Sequence, residues 1–114
     1  MARVALLCPD LLFGSRVEGA LRAAGHEVER VDAAAPVSAD VVVLDLTDGA
    51  AERTAALAGL RADGALGEAR VLAFYAHVEH DVRLAAEAAG FDQVVPRSRM
   101  AREGAALVER LAAG

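Results

Sequence analysis

Lysine is missing from this chain altogether, because all twelve of its basic residues are arginine. That excludes Schiff-base chemistry and any other reaction that needs a lysine amine. Cysteine is nearly missing too: Cys8 stands alone, so neither an internal disulfide nor a multi-thiolate metal site can form. Long hydrophobic runs are absent; 55% of the residues are apolar, yet much of that is alanine and no run approaches the roughly eighteen residues that a membrane span requires. Positive charge is in deficit, with a net charge of -5, which argues against direct binding of nucleic acid through its phosphates. The glycines form neither a GxGxxG nor a Walker-type loop, so nucleotide cofactors have no motif behind them. Met1 to Asp10 carries too short an apolar run for a signal peptide. The expectation is a cytoplasmic protein with no membrane association.

What is present is organised around Val41-Val42-Val43-Leu44-Asp45-Leu46. An aliphatic run of this length reads as a strand buried on both faces, the middle of a parallel sheet with helices above and below. Asp45 then falls at the carboxyl end of that strand. Ligands and chemistry collect at this edge in open α/β sheets, because strand ends and helix amino-termini converge there.

The remaining chain alternates strands and helices. Arg3 to Cys8 is the first strand, Pro9-Asp10 a turn with Asp10 as helix cap, and the helix runs to about Ala24 with Phe13, Val17, Leu21 and Ala24 on one stripe. Gly25 ends it, and His26 to Val31 alternates charged and apolar residues like an edge strand. Asp32 to Ala39, broken by Pro36, is too short for an ordinary crossover helix; extended, it reaches on the order of 26 Å, enough to return to the central strand. The second helix of a regular alternation is therefore expected to be shortened or missing. A helix follows over Ala50–Ala62, a strand over Arg70–Tyr75 and an exit loop over His77–Glu79. Next come a helix over His80–Ala89 with Val82, Leu84, Ala85 and Ala88 mostly inward, and a short strand over Phe91–Pro96. Ser98 is expected to cap a last helix with Met100, Leu107, Val108 and Leu111 inside. Together these predict a doubly wound five-stranded parallel sheet in one domain spanning residues 1–114.

Two pieces carry a family resemblance across this order. Arg3 to Val28, ending Ala23-Ala24-Gly25-His26-Glu27-Val28, and Val43-Leu44-Asp45-Leu46 resemble the receiver domain of bacterial response regulators. The resemblance implies the flavodoxin-like strand order 2-1-3-4-5, Asp45 as the phosphoacceptor equivalent, and an interaction surface on the family's fourth helix, fifth strand and fifth helix. It also implies two acidic magnesium ligands after the first strand, where this chain has Cys8 and Pro9 with Asp10 next. A thiol and an imino acid do not replace hard oxygen ligands. The family's switch Ser or Thr aligns with Tyr75 and its Lys with Arg97, which keeps charge but not compact geometry. The chain reads as a degenerate, or pseudo-, receiver: not an enzyme, without cofactor, with magnesium binding weak or absent.

That reading implies a stand-alone module of two-component signalling that works by contact with a protein, a histidine kinase or another regulator, and that can form a homodimer. Two alternatives stay open: a phosphorylation-dependent regulator using Asp45, and a small flavodoxin-like enzyme or ligand-binding protein using Asp45, Cys8 and the His77 loop. Cys8 lies beside a helix amino-terminus, which can lower a thiol pKa, but lone cysteines are more often buried and inert. Asp45 can be a chemical group, or a structural one that caps a helix or pairs with Arg97. His77 and His80 at i, i+3 invite a metal, but zinc helices space their histidines i, i+4 and add a third ligand.

Overall fold

A computed structural model describes residues 2–31, 38–47, 49–76 and 80–114. Its elements are β1 (Arg3–Leu7), α1 (Leu11–Ala23), β2 (Glu27–Arg30), β3 (Val41–Asp45), α2 (Ala50–Ala62), β4 (Arg70–Tyr75), α3 (His80–Ala88), β5 (Gln93–Pro96) and α4 (Arg97–Ala113). The five strands form one parallel sheet in the order β2-β1-β3-β4-β5, the flavodoxin-like order expected. β2 pairs only with β1, and the exposed Glu27 and Glu29 flank the buried Val28, as an edge strand requires. The expected lack of a second helix falls largely on residues 32–37, outside those described.

The sheet separates two cores by the two-residue period of its strands. Val4, Leu6, Cys8, Val41, Val43, Leu72 and Phe74 face α1 and α4, where Phe13, Val17, Leu21, Met100, Leu107 and Val108 meet them. Ala5, Leu7, Val42, Leu44, Val71, Ala73 and Tyr75 face the other way, against Leu57 of α2 and Ala86 of α3. Every β3 residue is buried, which matches the all-apolar reading of Val41 to Leu44. No helix among the described residues is long and apolar enough to cross a membrane.

Local signals set most boundaries. Asp10 caps α1, its Oδ1 accepting the Phe13 N–H at 3.0 Å, and Gly25 follows with φ +92, a conformation that glycine adopts without a Cβ penalty. Three expectations need correction. Ser98 does not cap α4: that helix starts at Arg97, with Pro96 at the cap position in the extended conformation (φ -64, ψ 151) and no side-chain cap bond, so Ser98 already lies inside the first turn. Phe91 and Asp92 precede β5 rather than opening it; Phe91 is buried, and Asp92 caps the neighbouring strand through the Val71 N–H. In α3 the inward stripe is Val82 and Ala86, continued by Ala89 just past its end, while Leu84 is 62% exposed and Ala85 and Ala88 also face solvent. A nine-residue helix covers the sheet with one narrow stripe, and the alanine-rich sequence left the choice of stripe open.

Candidate functional site

Register brings the site together. Leu7 of β1 pairs with Leu44 of β3, so the next residue of each chain, Cys8 and Asp45, arrives side by side on the α1/α4 face of the sheet. Asp45 is buried, 2% exposed, and such a carboxylate must find partners. Its Oδ1 accepts the Thr47 N–H at 2.8 Å, and its Oδ2 lies 3.4 Å from Cys8 Sγ, which donates its S–H. The carbonyl of Asp10 is a second, longer acceptor for that thiol at 3.6 Å. Burial, then the Asp45 charge and its hydrogen bond, push the Cys8 thiol up to about 12. Cys8 is buried, as lone cysteines usually are, and burial first, with the Asp45 charge added, holds the proton on sulfur in spite of the helix terminus beside it.

Arginines surround this pair. Arg97, at the start of α4, donates to Asp10 Oδ2 at 2.7 Å and stacks on Phe13 with its guanidinium carbon 4.1 Å from the ring centroid. Phe13 in turn meets Phe74 at 5.3 Å. The expected alternative of an Asp45–Arg97 pair is replaced by Asp10–Arg97, since Asp45 is buried and Asp10 is half-buried beside Arg97; the Phe13 N–H and then Arg97 draw the Asp10 carboxyl below the usual carboxylate range. Arg53, in the first turn of α2, donates to the Asp45 carbonyl at 2.9 Å. Arg30 reaches from β2 to the Cys8 carbonyl at 2.9 Å, passing over Gly14. Pro9, Asp10, Asp45, Thr47, Arg53 and Arg97 line an open crevice of about 300 Å³.

Tyr75 does not join them. One position beyond Phe74 on β4, it turns to the opposite face and is 5% exposed in the α2/α3 core, where its hydroxyl adds to the effect of Glu87 in keeping Arg83 charged. The expected switch position therefore does not reach the crevice, because strand alternation sends neighbouring residues to opposite sides. His77 and Glu79 of the expected metal loop lie outside the described residues, and His80 is exposed at the start of α3.

The sequence reading missed Arg53, Arg30 and Thr47. Arg53 carried a faint signal, since a cation near a helix amino-terminus opposes the macrodipole and is placed there for another reason. Arg30 and Thr47 carried none, because their roles depend on packing between elements distant in sequence.

The residues do not fit a divalent metal of the kind the resemblance implies. Cys8 is a buried neutral thiol, Pro9 offers no side-chain donor, and Asp10 is already shared between the α1 cap and Arg97. Among the described residues no group of three or more His, Cys, Asp and Glu could hold a metal ion. The positive charge lining the same crevice comes from Arg53 and Arg97.

No family model matches the chain, and no curated protein matches it. Solved structures do. The signal receiver domain of the putative response regulator NarL from Mycobacterium tuberculosis superposes with a TM-score of 0.78 at 26% identity, covering 99% of this chain and 97% of that one. A putative response regulator from Chloroflexus aurantiacus gives 0.83 at 18% identity over 99% and 98%. A response regulator from Thermotoga maritima gives 0.78 at 16% over 98% of each. The fold is that of response-regulator receiver domains.

Proposed function

We propose that this protein is a receiver-like regulatory module that signals by contact with a protein partner, without depending on an aspartyl phosphate. The observation that carries the reading is the thiol of Cys8 seated on Asp45 Oδ2. A carboxylate that is to attack phosphorus needs a free oxygen and cationic help as charge redistributes. Here one oxygen takes an N–H and the other an S–H, while the neighbouring acidic group is committed to Arg97. A phosphorylated form would also lack the Tyr75 response, because that side chain is packed on the far face. A modification that does not distinguish two states shifts no equilibrium between them.

The partner is a protein, of the kind a receiver fold serves, such as a kinase or another regulator; a second copy of the chain is an alternative partner. The test is intact-mass spectrometry after incubation with magnesium and acetyl phosphate. The expected result is less than a few per cent adduct in the parent, equal to that of Asp45→Asn. A large phosphoryl adduct in the parent that Asp45→Asn lacks overturns the reading and restores a phosphorylation-dependent regulator.

A further inference from the structure

Away from the crevice, α1 and α4 meet on one face of the sheet, and their meeting line is not closed. A pit of about 100 Å³ opens there among Phe13, Val17, Leu21 and Met100, all of them buried. Protein interiors pack to the density of organic crystals, so a void of this size is an exception. Small residues keep it open: Ala20, Ala101 and Ala105 line it where a leucine would fill it. Gly104 makes room for Met100, since a Cβ at 104 would stand 2.8 Å from the Met100 methyl carbon; the adaptable thioether rests on bare backbone. One polar side chain reaches the pit, that of Arg16. Arg22, Arg97 and Arg99 on the same two helices each pair with a carboxylate, whereas Arg16 pairs with none among the described residues. Both helices are described from end to end, and the pit is lined by them alone.

We propose that this pit binds a small monocarboxylate with a short apolar tail, the tail among Phe13, Val17, Leu21 and Met100 and the carboxylate on Arg16. Small-molecule sites are mostly apolar cavities with a few polar groups that fix orientation, and a planar guanidinium takes both oxygens of a carboxylate at once. In a chain of net charge -5, an arginine without an acidic partner over an apolar pit selects an anion over a neutral or cationic guest. Size sets the length of the tail. A cavity of roughly 150 Å³ lined by large apolar side chains takes benzene, so a pit of about 100 Å³ holds about four carbons. Phe13 also borders the crevice, carrying the Arg97 guanidinium on its ring and donating its N–H to Asp10. The guest therefore rests against a residue that shapes the crevice wall, while its own site needs nothing from Asp45 and is independent of the phosphorylation reading.

The experiment is an NMR titration of the full chain, carrying methyl-labelled methionine, with sodium pentanoate. The chain has two methionines, so Met100 gives one of two methyl signals, and Met100→Leu assigns it. Sodium acetate has the head without the tail and pentan-1-ol the tail without the charge; both serve as controls at matched ionic strength. The expected result is a saturable shift of the Met100 methyl with pentanoate, with acetate about tenfold or more weaker for want of buried methylenes. Pentanol should bind about fivefold or more weaker for want of the charge-assisted bond, and Arg16→Gln should bring pentanoate down to the pentanol level. Ala105→Leu, which fills the pit, should abolish the pentanoate shift, and Ala101→Leu does the same from another position if the first variant is misfolded by its amide spectrum. A shift that is linear in concentration, equal with acetate or pentanol, or unchanged in Arg16→Gln or in a folded leucine variant means binding without a built site and overturns the proposal.

Discussion

The two edges of the sheet use the same residue types to opposite ends. At the amino edge, Asp92 accepts the Val71 N–H at 2.8 Å and pairs with Arg61 at 2.7 Å, with Arg70 at 3.8 Å. Asp40 accepts the Arg3 N–H at 2.8 Å, and Arg61 also donates to the Gly90 carbonyl at 2.7 Å. Each Asp there ties one element's end to another, and the guanidinium groups of Arg61 and Arg70 both engage Asp92. At the carboxyl edge the two Asp residues are equally engaged, yet one partner is a thiol and both Asp line one crevice with Arg53 and Arg97. Composition does not separate a fastening from a site; convergence on one crevice does.

Substitutions at the two edges test that difference. The largest effect is expected from Asp92→Ala, which leaves the Val71 N–H and Arg61 without their acceptor and should cost about 2–3 kcal/mol in urea unfolding. Burial raises the Asp92 carboxyl, but the Val71 N–H and Arg61 outweigh it and leave it below the usual range. The stability it lends is therefore present above the unfolded carboxylate pKa and lost as pH falls through the lowered folded value, so Asp92→Ala should flatten the acid limb of a stability profile.

Next in size is an alkaline effect at the carboxyl edge. Cys8 is raised from 9.0 to about 12, so between these values the unfolded chain has lost a proton that the folded one keeps, and stability falls as pH rises. Cys8→Ala should remove that slope, and the parent thiol should resist iodoacetamide at pH 8 until denaturant is added. Asp45→Asn should change stability by about 1 kcal/mol or less, because the amide oxygen still accepts the Thr47 N–H and a buried charge is removed. A loss as large as that of Asp92→Ala would make Asp45 a fastening and erase the contrast. Smallest of all, Leu84→Ser should stay within about 0.5 kcal/mol by thermal melting, since the side chain is mostly exposed to solvent.

Most of the fold was legible because it rests on local signals. The unbroken Val41-Val42-Val43-Leu44 run, the Asp10 cap and Gly25 each announce their own conformation, and the strand order followed from the resemblance. The errors lie where the local signal is weak: Ala-rich α3 has several equivalent faces, and Ser98 was a better cap by type than Pro96 was by geometry. Asp45, Asp10 and Cys8 were placed correctly on one edge, but their pairing was not. Which Asp takes Arg97 is decided by packing between elements far apart in sequence, whereas the face of Tyr75 follows from strand alternation once Phe74 is placed on the α1/α4 side.

The passage of Arg30 over Gly14 has a consequence for how the chain can vary. A Cβ at position 14 would stand 2.4 Å from the Arg30 guanidinium, so the first turn of α1 and the edge strand share one volume. A larger residue at 14 makes the tip of Arg30 move aside, which the far end of a long flexible side chain does at little cost, but its bond to the Cys8 carbonyl is given up in the move. The bare backbone at 14 thus acts as a guide rail that lets an arginine from the sheet edge reach the strand end beside Asp45.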